Sequence, residues 1–219
     1  LLDIMSSKNI IVRVSIDRRN PKFPKLYKKH KEEDKRCIPT LVELANNLQC
    51  QQLVVEKAEE EYTHPLWGAA DEKACIYKRL RDYDFDKALI VDNDVECLDT
   101  SYNVFELPSF SAFGQGSYDV CFDNKPVGVN GGFLVISKEH SDAFASVDID
   151  YSYFEKCKSV YPEIWGIDEF HVANCLFALG IKLNYLPFSV QKFPIHGDLD
   201  SKFCHWGASL SRLPYFYTL

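Results

Sequence analysis

Lys87-Ala88-Leu89-Ile90-Val91-Asp92-Asn93-Asp94 is the stretch whose reading decides the fold. Its apolar run, Ala88 to Val91, sits between polar segments and predicts a buried strand. Two carboxylates spaced i, i+2 stand at the end of that strand. The period-two geometry of extended backbone puts Asp92 and Asp94 on the same side. Two hard oxygen ligands at a strand end suit Mn²⁺ or Mg²⁺, and such an ion in turn binds a diphosphate. Asp-x-Asp is also common at solvated loop ends, so the tripeptide by itself leaves both readings open.

Upstream, strand and helix signals alternate. Asn9 to Ile16, rich in Ile and Val, predicts a first strand running into the loop Asp17-Arg18-Arg19-Asn20-Pro21. Pro39-Thr40 then introduces Leu41, Val42, Leu44, Ala45 and Leu48 at helical spacing, with Thr40 as the expected N-cap. Gln52 to Glu56 predicts a second strand and Ala69 to Tyr83 a second helix. This β-α-β-α-β order implies parallel strands joined by right-handed crossovers. Ligands of such sheets gather at the carboxyl ends of the strands, where Asp92-Asn93-Asp94 lies.

Downstream the order is less regular. Tyr118 to Phe122 and Gly132 to Ile136 predict strands joined by a turn-rich loop, Asp123 to Gly131. Asp168 to Leu179 predicts a helix with Phe170, Val172, Ala173, Leu176, Phe177 and Leu179 on its apolar face. Leu183 to Phe188 and Phe203 to Trp206 are the last apolar segments. The expected class is α/β, with a mixed, mainly parallel central sheet flanked by helices.

The 219 residues, 46% of them hydrophobic, suffice for one large domain, and no low-complexity linker or internal repeat divides them. One domain over residues 1–219 is expected. A chain of this length buries about 70% of the surface its unfolded form exposes, so it needs neither metal nor disulfide to fold. The formal net charge of −7 disfavours a general nucleic-acid binder, which is normally basic. An anionic substrate would be held locally, by a metal or a few placed cations. The basic run Lys22 to Lys31 is followed by Glu32-Glu33-Asp34, a mixed pattern that reads as a solvated loop or helix. The eight cysteines show neither CxxC nor zinc-finger spacing, and several sit inside apolar segments as small hydrophobes. No signal peptide is expected, and no apolar stretch is long enough to span a bilayer. A reduced, cytoplasmic setting is the expectation.

Four further segments belong with the carboxylate pair. They are Val129-Asn130-Gly131-Gly132-Phe133-Leu134-Val135-Ile136; Trp165-Gly166-Ile167-Asp168-Glu169-Phe170, opening the helix that contains Asn174; Phe203-Cys204-His205-Trp206-Gly207; and the helix with Lys73, Tyr77 and Leu80. Their order and spacing resemble the GT-A glycosyltransferases, and within them the retaining, glycogenin-like glycosyltransferase family 8. The resemblance runs from Ile10 to Arg212. It implies a Rossmann-like, nucleotide-diphospho-sugar transferase domain with a donor-binding half (residues 9–100) and an acceptor-side half (residues 101–219). It implies metal ligation by Asp92, Asp94 and His205, with Asn93 in the donor-binding turn. Lys73 matches a cation facing the donor nucleotide or its phosphates. Asn130, Gly131 and Gly132 match the segment that approaches the donor sugar, where glycine leaves no side chain between ligand and backbone. Asp168 matches the acidic residue near the reacting carbon of the sugar. Each has a plainer reading beside it: His205 as a core histidine, Lys73 as an exposed helix lysine, Asn130-Gly131-Gly132 as a turn, Asp168 as a helix cap.

The chain departs from the family pattern in three ways. The late motif usually reads His-x-x-Gly-x-x-Lys; here Gly207 comes one position early and the nearest cation is Arg212, whose planar fork suits phosphate oxygens. The usual Asp-Gln pair is Asp168-Glu169. The chain is also short for the family, a size that suits a small sugar transferase of a large DNA virus, such as the chlorovirus enzymes that decorate the capsid.

The resemblance implies transfer of a hexose from a UDP-sugar, UDP-glucose or UDP-galactose, to a glycan or glycoprotein acceptor, with Mn²⁺ or Mg²⁺ as cofactor. Asp168 and Arg212 are the expected catalytic residues, Asp168 stabilising the cationic ring or acting as nucleophile and Arg212 reaching the diphosphate. For an inverting reaction, Asp168 or Asp123 would serve as general base. Two other classes stand against this reading. A metal-dependent nucleotidyltransferase would show a glycine-rich signature near its first strand, which Arg18-Arg19 lacks. A non-catalytic nucleotide- or sugar-binding module would use Trp67, Trp165 and Trp206 as stacking platforms, although such residues are more often core.

Overall fold

The computed structural model describes residues 8–15, 24–56, 69–112, 121–122, 125–126, 128–160, 166–192 and 200–206. In chain order the first half contains β1 (Ile10–Val14), α1 (Pro24–Asn47), β2 (Gln51–Val55), α2 (Ala69–Ala74), α3 (Ile76–Leu80), β3 (Lys87–Val91) and β4 (Val95–Cys97). The second half contains β5 (Ser111–Ala112), β6 (Cys121–Phe122), β7 (Lys125–Pro126), β8 (Phe133–Ser137), α4 (Lys138–Phe144), α5 (Tyr151–Val160) and α6 (Ile167–Leu179). It ends with β9 (Asn184–Tyr185), β10 (Gln191–Lys192) and β11 (Phe203–His205).

The main sheet has six strands in the order β2-β1-β3-β8-β5-β9. β1 pairs in parallel with both β2 and β3, with Val12 opposite Leu53 on one side and Ile90 on the other. β8 is antiparallel to β3 and to β5, and β5 and β9 run parallel. The sheet is therefore mixed and mainly parallel, as expected. β3 lies inside it, which explains why Ala88 to Val91 form an unbroken apolar run: both faces of the strand are covered.

Alternation along the strands sorts the core into two layers. Ile10, Val12, Ala88, Ile90, Leu134 and Ile136 pack on one face against Ile76, Tyr77 and Leu80 of α3, Phe144 of α4 and Leu176 of α6. Ile11, Leu89, Val91, Phe133 and Val135 face the other way, onto Leu41 and Leu44 of α1 and Phe203 of β11. Each such aliphatic side chain contributes about 1.5–3 kcal/mol by leaving water. A third cluster joins Ala74 of α2, Phe154 and Cys157 of α5, and Ile167 and Phe170 of α6. It anchors the two helices that carry Lys73 and Asp168. A separate three-stranded sheet, β10-β11-β4, sits beyond the end of β3.

Three sequence expectations change. α1 starts at Pro24, so Pro39 and Thr40 lie inside it. The charged run before them is made of good helix formers and continues the helix. Thr40 is thus no N-cap: its hydroxyl donates to Cys37 O at 2.8 Å and accepts from Cys97 N–H at 2.9 Å. The helix expected over residues 69–83 breaks into α2 and α3 at Cys75. Phe177 and Leu179 of α6 are exposed rather than on its core face. That helix closes on Gly180, whose φ of 64° satisfies the terminal carbonyls in the left-handed conformation.

The described cysteines Cys37, Cys50, Cys75, Cys97, Cys157, Cys175 and Cys204 are all free. Burial pushes the Cys37, Cys97 and Cys175 thiols up to about 12, which keeps them protonated and unreactive. No helix among the described residues is long and apolar enough to cross a membrane.

Candidate active site and metal centre

The site is built where β3 stops. Val95 N–H donates to Asp92 O at 3.2 Å, so Asp92-Asn93-Asp94 is a tight turn into β4. Asp92 N–H donates to Gly132 O at 2.9 Å, one step beyond the Val91–Phe133 pair. Gly132 N–H in turn donates to the Asn130 side chain at 2.9 Å. The antiparallel β8 therefore delivers Asn130, Gly131 and Gly132 to the first carboxylate.

β4 performs the same service for the histidine. It pairs antiparallel with β11, His205 opposite Val95, and Trp206 N–H donates to Asp94 O at 2.8 Å. His205 Nε2 then lies 3.3 Å from Asp94 Oδ1. One ligand atom each from Asp92, Asp94 and His205 fall within 4.8 Å of one another. Trp206 Nε1–H donates to Glu96 Oε2 at 2.8 Å, and the Arg36 guanidinium lies 4.3 Å over its ring. Trp206 is thus a brace for β11, with one ring face already taken, rather than an open stacking platform. Trp67 and Trp165 lie outside the described residues, as do Gly207, Arg212 and Asp123.

Lys73 and Asp168 complete the cluster. The Lys73 ammonium is 2.7 Å from Asp92 Oδ1 and 3.1 Å from Asp168 Oδ2, and its side chain is only 8% exposed. It is therefore not a surface lysine. Asp168 sits in the first turn of α6, yet Gly166 is the N-cap and makes no side-chain cap bond. The carboxylate of Asp168 is turned to Lys73 instead.

Asp94 is pulled two ways: burial disfavours its charge, but His205, Lys73 and a backbone hydrogen bond together outweigh that and hold the carboxyl at about 2. His205 moves the opposite way. Burial opposes its charge, and the neighbouring Asp94 raises its pKa above the ordinary value. Each thus favours the charged form of the other.

Glu169, beside Asp168, was not among the expected site residues. Burial and the Asp168 charge lift it from 4.5 to about 8, against the opposing pull of Lys73. Between those values the native carboxyl keeps a proton that the unfolded chain has lost, so stability falls as pH rises through that window. Glu169→Gln removes this loss. The metal-free variant is expected to gain in melting temperature over the parent as pH is raised from about 5 to about 8. A difference that does not change with pH would show that Glu169 is ionised throughout.

Arg13 was also missed. It is buried in β1, and its Nη1 donates to Asn93 Oδ1 at 3.3 Å, tying the middle of the turn to the neighbouring strand. A charge inside the otherwise apolar Ile10–Val14 was the available signal. Asn93 thus spends its side chain on Arg13.

The donor set suits a divalent ion. Two carboxylates and one imidazole are the ligand types that Mn²⁺ accepts. Gly132 lets the imidazole close against the backbone there: a Cβ would meet His205 Cε1 and lie 2.9 Å from Nδ1 and 3.0 Å from Nε2.

Among solved structures, the chain matches the apo form of mouse xyloside xylosyltransferase 1 with a TM-score of 0.51 at 10% identity, covering 91% of this chain and 98% of that one. It also matches a glycosyltransferase involved in the glycosylation of the major capsid of PBCV-1, with a TM-score of 0.50 at 13% identity, covering 94% and 96%. The fold is GT-A-like. No protein-family model and no curated protein sequence matches the chain. Within the GT-A-like frame, Asp92, Asp94 and Lys73 come from the first half of the chain, and Gly132, Asp168 and His205 from the second.

Proposed function

We propose that the protein is a metal-dependent glycosyltransferase that moves a hexose from a UDP-sugar to a glycan or glycoprotein acceptor. The observation that carries this reading is the meeting of Asp92, Asp94 and His205 at one strand end, with Lys73 and Asp168 alongside. The fold shared with two glycosyltransferases supports it. UDP-glucose and UDP-galactose are the favoured donors, and a retaining reaction of the family 8 type is the favoured stereochemistry.

Asp92, Asp94 and His205 would hold Mn²⁺ or Mg²⁺. When bound, the ion supplies charge neutralisation to the departing diphosphate. The chain's own residues do the rest. Lys73 offers a buried ammonium to anionic oxygen, where low dielectric makes it strong. Gly131 and Gly132 present backbone without side chains to the sugar, and Asn130 accepts from Gly132 N–H. Asp168, fixed by Lys73, offers a carboxylate to the electron-poor ring or to the reacting carbon. Glu169, whose pKa is raised by burial and by Asp168, adds less charge beside it than an ordinary carboxylate would. Residues 9–100 form the donor-binding half, and residues 101–219 the acceptor side.

The deciding experiment is calorimetric titration of UDP with and without Mn²⁺, followed by measurement of UDP release from a panel of UDP-sugars. Binding that requires Mn²⁺, with release from one donor, supports the transferase. Equal binding with and without the ion points to a binding module, and pyrophosphate release from a nucleoside triphosphate points to a nucleotidyltransferase.

A further inference from the structure

We propose that Lys73 makes metal binding conditional on the diphosphate: its ammonium holds Asp92 until a donor arrives, then passes to the phosphate oxygens. This rests on the metal and nucleoside-diphosphate reading above. Lys73 is a buried cation in direct contact with one of the three candidate metal ligands, Asp92 Oδ1 at 2.7 Å. Its second anchor, Asp168 Oδ2 at 3.1 Å, keeps it there. Water screens a charge buried this deeply only poorly.

A dication bound to Asp92 would therefore sit beside an ammonium that already uses the same carboxylate. The two like charges repel, and the ion loses part of that ligand. A diphosphate changes the balance because its oxygens accept from the ammonium and coordinate the ion together. Each then assists the other, and the assistance is reciprocal. The consequence is an enzyme that binds metal weakly without donor and tightly with it.

The test is calorimetry of Mn²⁺ into the full chain, with and without saturating UDP, for the parent, Lys73→Met and Lys73→Arg. Methionine keeps the apolar stem without the charge. In the parent, UDP should tighten Mn²⁺ on the order of 100-fold. In Lys73→Met, Mn²⁺ alone should bind about tenfold more tightly than in the parent, and the effect of UDP should shrink to a few-fold. Lys73→Arg should restore the parental pattern. Mn²⁺ affinity in Lys73→Met that is unchanged or weaker without UDP overturns the inference and leaves the metal site standing. No Mn²⁺ binding by the parent even with UDP overturns both. A parental crystal soaked with Mn²⁺ and UDP is a check that needs no variant. Lys73 should have left Asp92 for a phosphate oxygen, and an ammonium still on Asp92 beside a bound ion overturns the inference.

Discussion

Asp94→Asn is expected to weaken Mn²⁺-dependent UDP binding by about 100-fold or more, since loss of a mere supporting group around a metal already costs about 10–100-fold. The asparagine matches the carboxylate in shape, so the tight turn and the Trp206 N–H bond to Asp94 O remain. What disappears is the charge. Asp94 is held at about 2 against an ordinary 3.8, and it contributes stability at neutral pH that fades as pH falls through that window. The variant should therefore also melt slightly lower at pH 7 in the absence of metal. Calorimetry with circular dichroism reads both effects. A cooperatively folded variant with parental Mn²⁺ dependence would remove Asp94 from the metal centre. The parent carries a linked signature: His205 must give up its proton to become a ligand, so Mn²⁺ affinity should rise with pH, with proton release on binding.

The second large effect is expected from the smallest change, Gly132→Ala. The added Cβ would lie 2.9 Å from His205 Nδ1 and 3.0 Å from Nε2. Neither side can retreat easily. Gly132 is fastened through its carbonyl to Asp92 N–H and through its N–H to Asn130. His205 is 7% exposed, in a strand with a neighbour on each side. Overpacking of this kind costs about 1–3 kcal/mol, and the ring can relieve it only by leaving its place beside Asp94. A drop in melting temperature together with at least about tenfold weaker Mn²⁺ binding is the expected result. Gly131→Ala would meet the far ends of two side chains, Asp168 Oδ2 at 3.2 Å and Lys73 Nζ at 3.4 Å, and should lower stability less. Gly128→Ala, with nothing within 4 Å, is the control. If Gly132→Ala binds Mn²⁺ as Gly128→Ala does, the imidazole is not held where the structure places it.

The sheet was legible because Ala88 to Val91 and Ile10 to Val12 are apolar on both faces, which only a covered strand requires. The site was legible in pieces. Asp92 and Asp94 announce themselves by spacing, while His205, Lys73 and Asp168 become a cluster only through pairings that no local pattern encodes. Lys73 looks like any helix lysine until α2 packs on α6. Glu169 hides for the opposite reason: a carboxylate in a helix's first turn is ordinary, and the groups that act on it, Gly131 and Lys73 among them, come from far along the chain. The start of α1 was misplaced because Pro39-Thr40 carries the chemistry of a helix opening, and only the contacts to Cys37 and Cys97 show its interior use.

β11 lies between β10 and β4, so the strand made late occupies the centre of its small sheet. During synthesis the ribosome delivers both aspartates long before the imidazole. Until that strand threads into place, the candidate site has only two of its three ligating side chains. Full-strength dication capture by Asp92, Asp94 and His205 would therefore report finished folding, and a product truncated before β11 would not show it.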